Sequence, residues 1–353
     1  GKEKDFFEKN YESVKYQINT YLLFVEKTIN LIKNGSIYGL IIPNSWLMVY
    51  SGKNLRKLLL DTNDIREIIN LSGYSFESVN VETIILISKK DKSKLKNDLA
   101  ISLNKGNEFY LSHFRNQQDF RKNDGLEFKV FLNDESSGLS DKLKEKSTDL
   151  DNLVLIKSGL KAYEKNKGNP LQTAADVKNR PFDYKYKFDD KTYKYLEGKD
   201  VSRYSLKWNG QYLKYGNHLA APRSSDLFNG EKIIVREITG KFPRSIISTY
   251  SEYHYLFNMS NIPLIPKKDI DTSLKYILAI LNSKLMAYYF LKNTAKSVRK
   301  MFPKIILNDL RKFPVKDIPF TEQQPFIEKA DLMLTLNKDL QELSSKFQRN
   351  LQR

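Results

Sequence analysis

Three apolar runs near the start decide the fold of this chain: IYGLIIP at 37–43, IREIINL at 65–71 and VETIILISKK at 81–90. Their length and their Ile and Val content predict β-strands, and the first is expected to be buried. GKNLRKLLLDT at 52–62 has the apolar spacing of a short amphipathic helix. Strand, helix, strand at this spacing predicts a crossover unit of a parallel sheet, with the third run as a hairpin neighbour. The region therefore predicts half of a doubly wound α/β domain.

The rest of the chain is organised around this region. A helix is predicted over 11–33, and residues 91–150 are polar and mixed in charge, which predicts a connector with one or two short elements. From 151 onward, short aromatic-rich strands are predicted at 208–216, 231–238 and 244–257, followed by a helix over 273–293 with Ser273 as its N-cap. A final helix is predicted at about 322–353. It carries an apolar row at three- and four-residue spacing, which indicates packing or helix-mediated self-association: Leu336, Leu340, Leu343, Phe347 and Leu351.

Composition excludes several classes. The chain has 353 residues, no Cys and three His, and no run of about 18 apolar residues that would predict a membrane span. His113, His218 and His254 are far apart in sequence, which argues against a zinc site or a Ser-His-Asp triad. There is no GxGxxG, Walker A or His-Glu-x-x-His motif. We expect a soluble, cytoplasmic protein with no membrane partner and no metal site.

The positive charge is concentrated in one segment. The chain has 59 Lys and Arg against 42 Asp and Glu, a net charge of +17. Residues 151–318 hold 31 of the basic and 16 of the acidic residues, which leaves +15 on this segment alone. Such a charge is typical of proteins that bind nucleic acid, because neutralised phosphates release counterions. The alternative is a Lys-rich surface without function.

Particular motifs indicate a narrower class of protein than the composition does. Phe24-Val25-Glu26-Lys27 lies in the helix predicted over 11–33, and Pro43-Asn44-Ser45-Trp46-Leu47 begins at the end of the strand predicted over 37–43. Together with residues 52–60 and 65–87, they resemble the second half of the catalytic domain of amino-type adenine DNA methyltransferases from type IIG restriction-modification systems. The resemblance implies a Rossmann-like fold for this part of the chain. Trp46 is expected in the core.

The segment 151–318 is similar to the TaqI-like C-terminal specificity domain. The pieces that carry the similarity are SGLKAYEKNKGNP (158–170), YLEGKDVSRY (195–204), Pro222-Arg223, EKIIVREI (231–238), LAILNSKL (278–285) and LRKFPV (310–315). The expected fold is α/β plus α+β. It comprises the C-terminal half of a methyltransferase domain (1–105), a connector (106–150), a target-recognition domain (151–318) and a C-terminal helix (319–353).

One departure from the family pattern bears on activity. The glycine-rich S-adenosylmethionine loop and the Asn-Pro-Pro-Tyr motif of the family do not occur in these 353 residues. We expect a C-terminal fragment of a larger enzyme that contains no catalytic residue and is inactive alone. S-adenosylmethionine is then the cofactor of the parent enzyme.

The resemblance also implies one residue for base handling. In the family, a Phe in the loop before the third strand stacks on the flipped adenine, and Phe76 in Tyr74-Ser75-Phe76-Glu77-Ser78 lies at the matching position. The alternative is a loop aromatic that packs on the edge of the sheet.

DNA contacts are expected from basic residues of the 151–318 segment. A dense cluster, predicted to clamp the DNA backbone, contains Lys157, Lys161, Tyr163, Lys165 and Lys167. Arginines near strand ends, placed to read base edges, are Arg203, Arg223, Arg236 and Arg244. For any single residue the alternative is a solvated surface charge. His218 and His254 are expected to be surface or hydrogen-bonded strand residues.

We therefore predict part of a site-specific adenine-N6 methyltransferase that binds duplex DNA, reads its target and helps to hold the flipped base. The alternative is a non-enzymatic specificity subunit that serves a separate methyltransferase. Such subunits usually carry two recognition domains, whereas the sequence indicates one. A third possibility, an RNA-binding protein, has no support from RNA-recognition motifs.

Overall fold

The computed structural model describes residues 2–14, 18–74, 81–91, 98–106, 108–130, 132, 134–294 and 304–351. The chain forms two compact units, which we call unit 1 and unit 2. Unit 1 comprises Gly1–Ser140 and Lys292–Lys300, and unit 2 comprises Asp141–Leu291 and Met301–Arg353. The domain boundaries given above stay a prediction. None of the helices among the described residues has both the length and the apolar composition of a membrane span.

Unit 1 is built on a five-stranded sheet. Its elements are α1 (Lys2–Asn10), α2 (Thr20–Leu31), β1 (Ile37–Pro43), α3 (Lys53–Thr62), β2 (Asn63–Tyr74), β3 (Glu82–Lys90), β4 (Asp98–Lys105) and β5 (Glu108–Asn116). The strand order is β1-β3-β2-β4-β5, and β3 is antiparallel to both β1 and β2. β1 and β2 are therefore parallel, as predicted, although β3 separates them. The hairpin pairing of β2 with β3 is confirmed.

Three expectations for unit 1 need correction. The helix predicted over 11–33 begins only at Thr20. The mixed-charge stretch after residue 91 contributes β4 and β5 to the sheet, in addition to the helix α4 (Asp134–Glu145). β1 is buried on one face only, since it is an edge strand with alternating side chains: Tyr38 and Ile42 lie in the core, whereas Ile37 and Ile41 are 65% and 54% exposed.

The core of unit 1 lies on one face of the sheet. Apolar side chains of α2 and α3 pack on those of the strands, and the cluster includes Leu22, Val25, Leu55, Leu59, Ile68, Ile84, Leu86, Leu99 and Ile101. Trp46 is fully buried and contacts Phe128 edge-on at 5.3 Å between ring centroids, so its expected core position is confirmed.

Unit 2 contains two four-stranded sheets. Its strands are β6 (Thr148–Asp149), β7 (Val154–Ile156), β8 (Asp183–Tyr184), β9 (Thr192–Leu196), β10 (Val201–Ser202), β11 (Ser205–Leu206), β12 (Tyr212–Lys214), β13 (Lys232–Arg236), β14 (Ser248–Ser251), β15 (Leu256–Phe257), β16 (Asn261–Pro266) and β17 (Pro314–Val315). Its helices after α4 are α5 (Leu150–Leu153), α6 (Ala174–Asn179), α7 (Leu274–Leu281), α8 (Lys284–Asn293), α9 (Leu307–Arg311) and α10 (Phe320–Leu351). The sheet orders are β14-β13-β16-β7 and β15-β9-β12-β8.

Each sheet of unit 2 has its own core. Apolar residues of β13 and β16 pack with those of α7, α8 and α9, including Ile233, Val235, Ile262, Leu264, Tyr276, Ile277, Leu281, Phe290 and Leu310. The other sheet is packed around Leu160, Leu196, Leu213, Phe228 and Phe257. The whole fold is mixed α/β with several small sheets.

The sequence predicted two helices in unit 2, and it did not predict α5, α6 or α9. Ser273 caps α7 through a hydrogen bond from the Lys275 backbone N–H to its Oγ (3.2 Å), and α10 forms as predicted. The single helix predicted over 273–293 is wrong, because α7 ends at Leu281 and α8 begins at Lys284. The side chain of Asn282, at the break, bonds to Ser248 instead of pointing to solvent.

Candidate nucleic-acid interface

Arg203 and Arg244, both predicted to contact DNA, line one cleft of unit 2. The cleft has a volume of about 450 Å³ and is lined by Ser202, Arg203, Gly240, Lys241, Phe242, Pro243, Arg244 and Ile247. Arg203 follows β10, and Arg244 lies in the loop between β13 and β14. The structure thus brings together two cations that are 41 positions apart in sequence.

Arg203 is held at the base of this cleft. Its guanidinium donates to the main-chain carbonyl of Asn282 and lies 5.8 Å from the ring centre of Tyr204, while its Nε has no hydrogen-bond partner among the described residues. Burial lowers the pKa of Arg203, and the positive charge of Arg244 acts in the same direction. The cleft therefore keeps two like charges near each other without a carboxylate from the described residues between them.

A tight turn forms the outer wall of the cleft. The Gly240 N–H donates to the Ser245 carbonyl (2.8 Å) and the Arg244 N–H donates to the Lys241 carbonyl (2.8 Å). A Cβ at Gly240 would lie 2.5 Å from the Arg244 carbonyl oxygen, so this close approach requires glycine. Phe242 is 47% exposed at the tip of the turn.

Sequence reasoning missed Lys241 and Phe242. A signal was present, because Gly-Lys-Phe-Pro-Arg-Ser at 240–245 combines turn-forming residues with two cations and an aromatic ring. The ammonium of Lys284, from the start of α8, lies 6.0 Å from the Phe242 ring centre. The Phe242 ring at the tip of the turn therefore lies among cationic side chains.

The predicted basic cluster at 157–167 forms a braced turn. The exposed side chains are Lys157, Lys165 and Lys167. Gln172 braces the turn from inside: its Nε2 donates to the carbonyls of Ala162 (2.8 Å) and His218 (2.7 Å), and its Oε1 accepts from the Glu164 N–H (2.8 Å). Only 3% of Gln172 is exposed, and sequence reasoning gave it no role.

Two members of that cluster already have partners within the protein. Lys161 forms an ion pair with Glu164 at 2.9 Å, and this contact holds the pKa of Glu164 below its usual value. The Tyr163 hydroxyl donates to Asp183 (3.0 Å) and accepts from the Phe182 N–H (2.9 Å). The Tyr163 ring stacks on Phe182 with its centroid 5.5 Å away. Tyr163 therefore organises the loop in which it lies, and its contact with DNA stays a prediction.

Arg223 and Arg236 lie outside both groups. Arg223 has a positive φ of 65°, and its Nε donates to the Gly159 carbonyl (3.2 Å). Arg236 ends β13 and is half-buried, and its Nε has no hydrogen-bond partner in the part of the chain that the structure describes.

A second basic and aromatic surface was also missed. In the loop after β8, the ring of Phe188 stacks on Tyr184 at 4.8 Å, and the ammonium of Lys214 lies 5.1 Å from the Phe188 ring centre. Tyr186 and Phe188 are 60% and 51% exposed. The alternation of Lys and aromatic residues in KYKF at 185–188 was the available signal.

The histidines of unit 2 are half-buried and lie outside strands, and each has one ring nitrogen within hydrogen-bond distance of an oxygen. His218 Nε2 lies 3.1 Å from the Lys214 carbonyl oxygen, and His254 Nδ1 lies 2.6 Å from the Asn229 Oδ1. Burial lowers the pKa of both rings. Over the described ranges, His, Asp and Glu form no cluster of three suited to a metal ion.

Phe76, predicted to stack on the flipped adenine, lies outside the described residues. Glu26, from the Phe-Val-Glu-Lys motif, is buried, and its carboxylate accepts from the N–H groups of Glu12 (2.9 Å) and Ser13 (2.8 Å). The buried carboxylate of Asp64 is paired with Arg66 at 2.7 Å. Both carboxylates are therefore engaged. Neither carboxylate is free to accept from the ribose hydroxyls of S-adenosylmethionine.

Two family models match the chain. The Eco57I restriction-modification methylase matches residues 1–76, and the TaqI-like C-terminal specificity domain matches residues 193–315, within the predicted 151–318. The chain is thus similar to a restriction-modification methylase in its first part and to a specificity domain in its later part, which confirms the resemblance. The methylase match does not favour the alternative of a separate specificity subunit.

Two similar proteins are named as restriction enzymes and methyltransferases. The chain is 25% identical over 306 residues to the putative type II restriction enzyme and methyltransferase RM.MjaORFECS2P of Methanocaldococcus jannaschii, covering 85% of this chain and 25% of the relative. It is 30% identical over 91 residues to the type II restriction enzyme and methyltransferase RM.Eco57I of Escherichia coli, covering 26% of this chain and 9% of the relative. The chain spans a quarter or less of the length of these relatives.

The fold is similar to that of the type IIL restriction-modification enzyme MmeI, which was solved in complex with DNA. The similarity covers 91% of this chain and 45% of MmeI, with a TM-score of 0.60 and 11% sequence identity. At this identity the comparison shows the fold alone.

Proposed function

We propose that this chain is the target-reading part of a site-specific adenine-N6 DNA methyltransferase of a restriction-modification system, and that unit 2 binds duplex DNA. The observation that carries the proposal is the cleft that holds Arg203 and Arg244 together. Like charges in a partly buried site repel each other, and an anionic ligand relieves that repulsion. The +15 charge of residues 151–318 and the specificity-domain match support DNA as the anion.

The turn at 240–245 is the proposed element that enters a groove. Its backbone is fixed by two internal hydrogen bonds, so its side chains are presented at little entropic cost. Arg244 suits the O6 and N7 acceptors of guanine, Lys241 suits a phosphate, and the Phe242 ring suits a thymine methyl group or an unstacked base step. Arg203 supports Arg244 from the base of the cleft.

The braced turn at 157–167 is the proposed backbone clamp. Lys157, Lys165 and Lys167 carry exposed ammonium groups that can each replace a counterion at a phosphate. For Lys161 to contact DNA, its ion pair with Glu164 must be exchanged for a phosphate, which costs little at an exposed site. We also propose that Tyr163, Arg223 and Arg236 contact DNA at the margin of this surface.

For unit 1 we propose the C-terminal half of a Rossmann-like methyltransferase domain. β1, α3 and β2 form a parallel strand-helix-strand unit in one sheet, which supports this proposal. On the sheet face opposite the core, Ile41, Ile85 and Ile69 are aligned by register. Ile41 is 54% exposed, whereas Ile85 is half-buried and Ile69 is buried. An apolar second face is typical of a sheet with layers on both sides.

The methyl-transfer chemistry is proposed for the parent enzyme. S-adenosylmethionine would supply the methyl group, and residues outside these 353 would bind it, so we expect the isolated chain to bind DNA without methylating it. Phe76 is proposed to stack on the flipped adenine, at a cost of a few kcal/mol in lost base stacking. We propose the cytoplasm as the location, because the enzyme acts on DNA.

DNA titrations at several salt concentrations test this proposal. Arg244→Ala should weaken duplex binding by roughly tenfold and lower the salt dependence by about one counterion. Lys122→Ala is the matched control: this side chain is 80% exposed in unit 1, and its replacement should leave binding unchanged. Equal losses for both variants, or no loss for Arg244→Ala, would remove the cleft from the DNA interface.

The role of Phe76 requires the complete enzyme. Phe76→Ala should reduce the methylation rate by more than it reduces DNA affinity, because base stacking is needed after the duplex is bound. A 2-aminopurine at the target position should also show less fluorescence change on binding. An unchanged rate would assign Phe76 to packing instead.

A further inference from the structure

The helix α10 has two faces with different environments. One face packs on unit 2: Gln323 and Ala330 are buried, the Gln323 Nε2 donates to the carbonyls of Asp271 (3.1 Å) and Ile318 (2.9 Å), and the Gln341 Nε2 donates to Ser205. These residues fix the orientation of α10 on its own unit.

The other face carries an exposed apolar row, which we call the α10 row. Its members are Leu336 (51% exposed), Leu340 (64%), Leu343 (65%), Phe347 (64%) and Leu351 (70%). At about 100° per residue, this row lies roughly 120° around the helix from the face that packs on unit 2. Packing on unit 2 therefore does not cover it, and so continuous an apolar surface marks an interaction site.

We propose that the α10 row is the seam of an antiparallel helix pair formed with a second copy of this chain. Its first four residues recur with the four-three-four spacing that keeps a seam on one side of a helix, and Leu351 follows four residues later. Leu340 then packs against the partner's Leu343, and Leu336 packs against the partner's Phe347. Two-fold symmetry repeats both contacts.

The charged residues that flank the α10 row favour a second copy of the chain in the antiparallel orientation. In the antiparallel register, Asp339 flanks the seam opposite the partner's Lys346, and symmetry makes a second such pair. A parallel register would place Asp339 beside Ser344 and Lys346 beside Leu351, without opposite charges. Asp339 and Lys346 are both exposed, and neither has an ion-pair partner within the described residues, so both are available to the second copy.

The size of the seam sets the strength of the dimer. From Leu336 to Leu351 the helix rises about 22 Å, or two heptads. A contact of this length is at the small end of specific interfaces, so we expect a reversible dimer with a dissociation constant of roughly micromolar order.

Sedimentation of the 353-residue chain over a range of concentrations tests the proposal. The chain should pass from monomer to dimer, and Leu340→Glu should weaken dimerisation at least tenfold. Leu171→Glu is the matched control, because Leu171 is 68% exposed outside α10 and its replacement should leave the dimer unchanged. A wild-type chain that stays monomeric at about 100 μM, or a dimer insensitive to Leu340→Glu, would overturn the proposal.

Charge reversal tests the register without altering the apolar seam. Asp339→Lys and Lys346→Asp should each weaken dimerisation by roughly tenfold, since each creates two like-charge contacts. The double variant should restore the wild-type constant. If the two single effects instead add, the antiparallel register is wrong.

Cross-linking tests the orientation directly, because the sequence contains no Cys. The variants Leu336→Cys and Phe347→Cys, mixed under oxidation, should form a disulfide-linked dimer. Each variant alone should not, since like positions are then about 16 Å apart along the axis. Efficient cross-linking of either variant alone would indicate a parallel pair and overturn the proposal.

Discussion

Arg203 donates a guanidinium N–H to the main-chain carbonyl of Asn282, a residue 79 positions further along the chain. Asn282 is only 4% exposed, and its side chain forms hydrogen bonds with the Ser248 hydroxyl (3.0 Å) and carbonyl (3.0 Å). The break between α7 and α8 therefore fixes β14 on one side and Arg203 on the other. The position of a proposed DNA contact depends on a residue that is not itself in the cleft.

Replacement of Asn282 should affect both stability and DNA binding. Asn282→Ala leaves the buried Ser248 hydroxyl without its partner and removes one of the donors to the Ser248 carbonyl, so the free energy of unfolding should fall by about 2 kcal/mol. Duplex affinity should fall as well, because the main-chain carbonyl that accepts from Arg203 lies at the same break, which loses its side-chain anchor to Ser248. Urea denaturation and DNA titration measure the two effects. Asn308→Ala, at an exposed position on α9, should change neither, and a similar loss for this control would contradict the assigned role.

Gln172 provides a test of the basic turn at 157–167. Gln172→Ala removes three hydrogen bonds that hold the turn, and we expect a loss of about 2–3 kcal/mol in stability. The salt dependence of DNA binding should also decrease, because Lys165 and Lys167 are no longer presented together. Gln324→Ala, on the exposed surface of α10, is the control. A destabilised variant with an unchanged salt dependence would exclude this turn from the DNA interface.

Phe242 should contribute to DNA affinity and not to the stability of the fold. Its ring is 47% exposed, so Phe242→Ala should change the unfolding free energy by less than about 0.5 kcal/mol. Loss of an apolar or stacking contact should weaken duplex binding by roughly tenfold. Phe109→Ala is the comparison, since Phe109 is 55% exposed on β5 of unit 1. Equal DNA affinity for the two variants would show that the tip of the turn does not touch DNA.

Lys232 predicts a pH dependence of stability. Its side chain is fully buried, Nζ donates to the carbonyls of Gly230 (2.6 Å) and Tyr253 (3.0 Å), and burial lowers its pKa from 10.5 to about 8. Between these values the unfolded chain binds more protons than the folded chain, so this group makes the unfolding free energy rise with pH, by at most about 3 kcal/mol. Below pH 8 it contributes no slope.

Denaturation at a series of pH values measures this effect. The rise between about pH 8 and 10.5 should be smaller in Lys232→Met than in the wild type. The difference between the two proteins isolates Lys232 from tyrosines that titrate in the same range. Parallel curves for wild type and variant would show that Lys232 keeps an ordinary pKa in the folded protein.

Local sequence patterns predicted the elements better than their arrangement. Ile37–Pro43 forms a strand with the predicted bounds, and Ser273 caps α7, because both depend on neighbouring residues. The insertion of β3 between β1 and β2 depends on pairing across the sheet, which apolar periodicity does not encode. The same limit explains the helix break at Asn282, since its partner Ser248 is 34 positions away.

In the candidate site, too, local features were predicted from the sequence and contacts between distant residues were not. Charge counts located the basic segment, and two of its predicted arginines meet in one cleft. Composition did not reveal that Tyr163 bonds to Phe182 and Asp183, or that Gln172 braces the basic turn, because both roles depend on contacts between separate segments of the chain. Charge counts give no signal for Phe242, because its ring is uncharged.

The most direct test of the central claim is selection of bound duplexes from a randomised pool by the 353-residue chain at about 0.15 M salt. We predict enrichment of one sequence that contains an adenine, bound at least roughly tenfold more tightly than its scrambled form. Arg244→Ala should reduce that preference. Equal affinity for all duplexes and for single strands would contradict the account, because the basic surface would then be a general polyanion binder and not a reader of sequence.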